Sequence, residues 1–138
     1  MQEHILESSN FCLRLSLIVF ERDIELPINT NMTVAVTCNG FSANADMDID
    51  IKKFAEFSNK LMTVYRDLEG EAEIKEPYGY ERFITFSADR TGHIVVKGYL
   101  CDASRSNELR FETVFDQTYL KAFTEELALT YSKYAKNK

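Results

Sequence analysis

The sequence predicts an α+β fold in which two amphipathic helices cover one face of a mainly antiparallel sheet. Short segments with alternating apolar and polar residues, joined by turn residues, are typical of antiparallel strands. Two longer segments carry apolar residues at helical spacing. The 138 residues are enough for a single α+β domain, residues 1–138, with one core. The predicted order is βββαββββα, with about six to seven strands.

The first predicted strand spans residues 10–23. One face of it is apolar and comprises Phe11, Leu13, Leu15, Leu17 and Val19. The residues before it are polar and acidic and lack the basic segment and apolar stretch of a secretory signal. We therefore assign neither a strand nor a leader to them.

A β-hairpin is predicted over residues 31–49, because Asn39 and Gly40 both tolerate the positive φ of a tight turn. Folding the chain there places four apolar pairs on one face: Cys38 with Phe41, Val36 with Ala43, Val34 with Ala45, and Met32 with Met47. The other, mostly polar face pairs Thr37 with Ser42, Ala35 with Asn44, Thr33 with Asp46, and Asn31 with Asp48. A slip of one residue would destroy this sorting, so the register is well specified.

The first predicted helix spans residues 51–68, with Asp50 as its N-cap, or Asp48 if the helix starts earlier, and Gly70 at its exit. Its apolar stripe comprises Ile51, Phe54, Phe57, Leu61, Val64, Tyr65 and Leu68. Four strands follow at 71–76, 81–88, 93–101 and 107–115, of which the first is short and charged and suits a sheet edge.

The last predicted helix spans residues 117–138. Asp116 or Thr118 caps its start, and Lys133, Lys136 and Lys138 suit its end. Its stripe is formed by Leu120, Phe123, Leu127 and either Tyr131 or Tyr134.

The net charge of −6 lies in the first fifty residues, which hold eight acids against two bases. The remaining residues are balanced. A strongly acidic region disfavours nucleic acid and anionic membrane as partners, because their phosphates would be repelled, and favours a basic partner.

No motif in the chain indicates a metal or a cofactor. Asp46, Asp48 and Asp50 match the first positions of a calcium loop, but the required glycine and glutamate are replaced by Ile51 and Phe57. The three cysteines, Cys12, Cys38 and Cys101, lack metal-ligand or redox spacing and fit reduced apolar side chains in a cytoplasmic protein.

Catalytic patterns are also lacking. His93 follows the turn formed by Asp89 and Gly92, so Asp89 could orient it as a base, but capping of the turn backbone is the better interpretation. Asp46 and Asp48 lie on the same face of a predicted strand. They are better interpreted as residues of its solvent-exposed face than as a general acid and base. We therefore predict a protein that is not an enzyme.

Two tyrosines, Tyr78 and Tyr80, flank Gly79 in a predicted loop. Loop tyrosines can anchor a protein interface, and they can equally pack over a sheet edge.

Two segments, 91-TGHIVVKGYLCD-102 and 109-LRFETVFDQTYLKAFTEEL-127, resemble the C-terminal half of WapI-type immunity proteins. The segment Asp116–Leu120 carries the sharpest likeness. The N-terminal half is similar more loosely, through the V-x-V hairpin and the helix start 50-DIKKF-54. WapI-type immunity proteins are small bacterial proteins encoded beside secreted or contact-delivered toxins.

The resemblance implies a binding inhibitor that occludes a cognate toxin, often a nuclease with a basic cleft. An acidic surface would be steered to such a cleft. The candidate partner-binding residues are Glu21, Asp23, Glu25, Asp46 and Asp48. A monomer or weak homodimer is expected.

Two alternatives remain open at this stage. One is a small-molecule-binding domain with a pocket between helices and sheet. The other is a structural or regulatory subunit that dimerises through an edge strand such as 71–76.

Overall fold

The computed structural model describes residues 1–135, which form eight strands, two α-helices and three short 3-10 turns. One antiparallel sheet holds β1 (Gln2–Ser8), β2 (Phe11–Val19), β3 (Thr30–Cys38) and β4 (Phe41–Ile49), in that order. The second antiparallel sheet holds β5 (Glu71–Lys75), β6 (Phe83–Ala88), β7 (His93–Cys101) and β8 (Glu108–Asp116). The helices are α1 (Ile51–Asp67) and α2 (Lys121–Tyr131).

The α+β class and the antiparallel pairing are confirmed, but the predicted order is wrong in detail. The order is ββββαββββα, and the strands form two sheets of four rather than one sheet of six to seven. The additional strand is β1, which pairs with β2 along its whole length. The predicted strand 10–23 stops at Val19 and continues into a loop containing the 3-10 turn Glu21–Asp23.

The helices do not cover one face of a single sheet. The first, α1, packs against β5, β6 and α2, whereas α2 packs against α1 and β1. The two sheets also meet directly, because β4 contacts β7 and β8. One continuous core therefore joins both sheets and both helices.

The register of the β3–β4 hairpin is the predicted one for all eight pairs. Asn39 and Gly40 have φ angles of 51° and 88°, which a tight hairpin turn requires. Met32, Val34 and Met47 are buried on the apolar face, but Phe41 at the strand end is 69% exposed.

The α1 stripe is buried over Ile51, Phe54, Phe57, Leu61 and Val64. Its N-cap Asp50 accepts a hydrogen bond from the Lys52 N–H at 2.9 Å, which satisfies one of the free donors of the first turn. The helix ends at Leu68, in the left-handed conformation, followed by Gly70 with φ 82°.

The last helix is shorter than the predicted 117–138. A 3-10 turn, Gln117–Leu120, precedes α2, and another, Ser132–Tyr134, follows it. Asp116 accepts a hydrogen bond from the Thr118 N–H at 2.9 Å, so the carboxylate caps the 3-10 turn. Lys136 and Lys138 lie outside the described residues. Within residues 1–135, no helix combines the length and the apolar character needed to cross a membrane.

Candidate functional site

Asp46 and Asp48 lie on the outer face of β4, which neither helix covers. Both side chains are exposed, and each accepts one hydrogen bond from β3: Thr33 Oγ1 donates to Asp46 at 2.8 Å and Asn31 Nδ2 donates to Asp48 at 3.3 Å. The cross-strand bonds hold the two carboxylates in place without neutralising them.

The other three candidate acids, Glu21, Asp23 and Glu25, lie in the loop between β2 and β3. All three are exposed. Glu21 accepts a hydrogen bond from the Tyr134 hydroxyl at 2.6 Å, and Glu25 lies 3.6 Å from the Lys52 ammonium. These acids are therefore partly engaged with the ends of the helices.

The structure does not bring all five candidate acids into one cluster. Asp46 and Asp48 line a cavity of about 600 Å³, and none of the three loop acids lines it. The opposite wall of this cavity is the segment Glu76–Arg82, which connects β5 to β6. We call this segment the tyrosine loop, after Tyr78 and Tyr80.

A buried ion pair holds the two ends of the tyrosine loop together. Arg82 Nε and Nη2 each donate to the Glu76 carboxylate at 2.8 Å, and Arg82 Nη1 donates to the Cys101 carbonyl at 3.2 Å. Both side chains are less than one-tenth exposed. The hydrogen bond to Glu76 raises the pKa of Arg82, so the guanidinium stays charged.

The same ion pair joins the tyrosine loop to the β3–β4 hairpin, which we call the acidic hairpin after Asp46 and Asp48. The Asp48 N–H donates to Glu76 Oε2 at 3.4 Å, across the boundary between the two sheets. The sequence did not indicate this pair: it placed Glu76 and Arg82 near the ends of the predicted strands 71–76 and 81–88, and only the tertiary fold buries the two side chains together.

The tip of the loop is held from one side and exposed on the other. Tyr80 lies under the Arg82 guanidinium, with 4.7 Å from Cζ to the ring centroid, and Arg105 Nη2 donates to the Gly79 carbonyl at 2.9 Å. Gly79 and Glu81 adopt positive φ angles of 94° and 62°. Among residues 1–135, Tyr78 makes no such contact, and it is 66% exposed.

The Asp89 turn has the geometry of a backbone cap. The Asp89 carboxylate accepts from the Thr91 N–H at 2.9 Å, the Thr91 hydroxyl at 2.7 Å and the His93 N–H at 3.1 Å. These bonds, led by that from the Thr91 hydroxyl, lower the pKa of Asp89. Gly92 has φ 92° and closes the turn. Oδ1 of Asp89 is therefore occupied by the turn, whereas Oδ2 lies 3.7 Å from His93 Nδ1.

A second cavity, of about 550 Å³, lies between α1 and β5. Its charged lining comprises three lysines and four acids: Lys53, Lys60, Lys75, Asp50, Glu56, Glu73 and Glu76. In the described part of the chain, no group of three or more histidine, cysteine or acidic residues is arranged to hold a metal ion.

A family model described as the immunity protein WapI-like family matches residues 5–135, nearly the whole chain. No curated protein matches the sequence.

Proposed function

Since the chain belongs to the WapI-like immunity protein family, we propose that it neutralises a cognate toxin by binding it and occluding its functional surface. The observation that carries the proposal is the family match over residues 5–135. The proposal includes no catalytic role: the protein acts through the surface it presents, and the cell that makes it is protected for as long as the complex lasts.

The distribution of charge supports a toxin with a basic surface, such as a nuclease that grips phosphates. Asp46 and Asp48 project from a sheet face that neither helix covers. The acids Glu21, Asp23 and Glu25 are also exposed, in the loop between β2 and β3. Carboxylates in such positions raise the rate of encounter with a cationic partner and weaken the complex as salt is added.

The test is a titration of the chain with the C-terminal domain of the toxin encoded beside it, at low and at high salt. We expect tight binding that salt weakens, and we expect Asp46→Lys/Asp48→Lys to reduce the affinity by at least about tenfold. A triple reversal of Glu21, Asp23 and Glu25 tests the loop acids separately.

The matched control is Glu71→Lys/Glu73→Lys on β5. These two acids are also exposed, also two residues apart on one strand face, and Glu73 also accepts a hydrogen bond from a cross-strand threonine, Thr85, at 3.3 Å. If both double reversals weaken binding equally, the effect is one of net charge and the hairpin face is not the interface. If the wild-type chain does not bind, the immunity role toward that toxin is wrong.

The cavity between α1 and β5 favours one alternative, a small-molecule-binding role. Its lining carries four acids against three lysines, together with the aromatic ring of Phe57, and would suit a zwitterionic, partly apolar metabolite. A thermal shift produced by such a metabolite, and lost in Lys53→Gln/Lys60→Gln, would support this function, whereas toxin binding without any metabolite response would exclude it.

A further inference from the structure

The groove between the acidic hairpin and the tyrosine loop has the walls of a recognition site for a single planar cation. One wall is the outer face of β4 with Asp46 and Asp48, and the other is the tyrosine loop with Tyr78 and Tyr80. The volume of about 600 Å³ admits a long side chain together with the backbone that carries it.

The charge of the lining selects a cationic occupant. Arg82, the cation in this lining, is committed to Glu76 by two hydrogen bonds of 2.8 Å. Asp46, Asp48 and Asp102 also line the groove, and within residues 1–135 none of the three forms an ion pair. Hydrogen bonds led by that from Asn107 lower the pKa of Asp102, which keeps this carboxylate charged. The groove therefore carries a net negative charge that its own residues do not balance.

The aromatic wall of the groove favours one kind of cation, a guanidinium, over an ammonium. Tyr80 already stacks against two guanidiniums, those of Arg82 and Arg105, and so is held in place, whereas the neighbouring Tyr78 is exposed. A guanidinium is flat, can stack on a tyrosine ring, and can bind a carboxylate through two parallel N–H donors. An ammonium can lie over an aromatic ring, but it is not flat and cannot bind a carboxylate through two parallel donors.

We infer that this groove receives an arginine side chain of the toxin, with Asp46 and Asp48 as its counter-ions and Tyr78 as its stacking partner. The inference rests on the proposed function and adds the anchor of the interface. The buried Glu76–Arg82 pair fixes both walls relative to each other, because Glu76 is bonded to Arg82 on one side and to the Asp48 N–H on the other. A loop backbone that is held at both ends beside an ordered acidic face loses little entropy when a partner binds.

The first experiment uses the chain alone and N-acetyl-arginine methylamide as the probe, followed by amide NMR. The control probe is the citrulline analogue, which has the same shape without the charge. We expect the arginine probe to shift the amides of Asp46, Asp48, Tyr78 and Tyr80, and the citrulline probe to leave them in place. Asp46→Asn/Asp48→Asn should remove the response. Equal shifts with both probes, or shifts elsewhere, would overturn the inference.

The second experiment measures toxin binding by Tyr78→Ala and by its matched control Tyr119→Ala. Tyr119 is also a half-exposed tyrosine, at 48%, but lies in the turn before α2. We expect Tyr78→Ala to weaken binding by at least about tenfold, as for an interface hot spot, and Tyr119→Ala to change it by less than about twofold.

The two proposals fail in different ways. Absence of toxin binding by the wild type contradicts the proposed function. Toxin binding that is indifferent to Tyr78→Ala, in a chain that shows no arginine-specific shifts, contradicts this inference alone.

Discussion

Gly98 shows how one missing side chain lets the neighbouring strands β7 and β8 of the second sheet pair closely. It lies in β7 opposite Phe111 of β8, and a Cβ built on it would lie 2.2 Å from Cζ of the Phe111 ring. Phe111 is 7% exposed, so the ring cannot simply swing into solvent. We expect Gly98→Ala to lower the free energy of unfolding by about 1–3 kcal/mol, measured by urea denaturation.

A double-mutant cycle identifies the cause of that loss. Phe111→Leu removes the ring that the new methyl group would meet, so it should cost less in the Gly98→Ala background than in the wild type. Additive losses would mean that backbone propensity, rather than the clash, makes Gly98 necessary.

Two tyrosines at the C-terminal end of α2 predict how the protein responds to alkali. Burial raises the pKa of Tyr131 well above its usual value, and its hydroxyl lies 2.7 Å from His4 Nε2. Burial and the hydrogen bond to Glu21 raise the pKa of Tyr134 to about 12, from 10.0.

Because folding raises these pKa values, the stability they contribute is complete below the unfolded pKa of 10.0 and is lost as pH rises toward about 12. We expect the free energy of unfolding to decline across this window. Tyr134→Phe should flatten the decline, and Tyr119→Phe, which removes an exposed hydroxyl, should leave it unchanged. A decline unaffected by Tyr134→Phe would contradict the assignment.

At the scale of elements, Asn29 attaches the loop between β2 and β3 to the start of α1. Its side chain is fully buried. Its Oδ1 accepts from the Ile51 N–H at 2.8 Å, and its Nδ2 donates to the Ile24 and Leu26 carbonyls and to Asp50 at 3.0 to 3.2 Å. One amide therefore positions the loop that carries Glu21, Asp23 and Glu25.

We expect Asn29→Ala to cost about 1–3 kcal/mol of stability, because it leaves the buried Ile51 N–H without a partner. Hydrogen exchange should accelerate in the loop, at the amides of Asp23 and Leu26, more than in the middle of α1. Asn59→Ala, which changes an exposed asparagine on α1, is the control. Unchanged exchange in the loop would show that the amide is not what orders it.

The sequence was sufficient for elements that sort apolar from polar residues. The β3–β4 register followed from Asn39-Gly40 and the two-faced pattern, and the buried stripe of α1 followed from its spacing. It was insufficient for β1, where the inward residues are His4 and Leu6. A histidine breaks the apolar alternation, and it is buried only because Glu126 and Tyr131 bind its two ring nitrogens. Those partners lie more than 120 residues away in the chain.

At the scale of the whole molecule, the division into two sheets was not predictable from local pattern. The α1 helix separates two runs of four strands, and such a helix can return the chain to the same sheet or begin a new one. The candidate site was limited in the same way. The exposed acids could be predicted from the sequence. The groove could not, because it depends on Glu76, which bonds Arg82 and the Asp48 N–H across the two sheets.

The arrangement of charge and aromatic surface predicts that the acids and the tyrosine affect the two rates of toxin binding differently. Asp46 and Asp48 act at a distance, through the field that steers encounter, and also in the complex, as counter-ions of the arginine. Reversing them should therefore lower the association rate constant, reduce its dependence on salt and also raise the dissociation rate constant. Tyr78 acts only after contact, so Tyr78→Ala should mainly raise the dissociation rate constant.

Surface plasmon resonance at several salt concentrations measures both rate constants, with Glu71→Lys/Glu73→Lys and Tyr119→Ala as the controls for charge and for aromatic area. If Tyr78→Ala instead slows association and leaves dissociation unchanged, the tyrosine loop takes part in encounter and not in the final contact. In that case the carboxylates alone hold the arginine, and the proposed stacking role of Tyr78 is wrong.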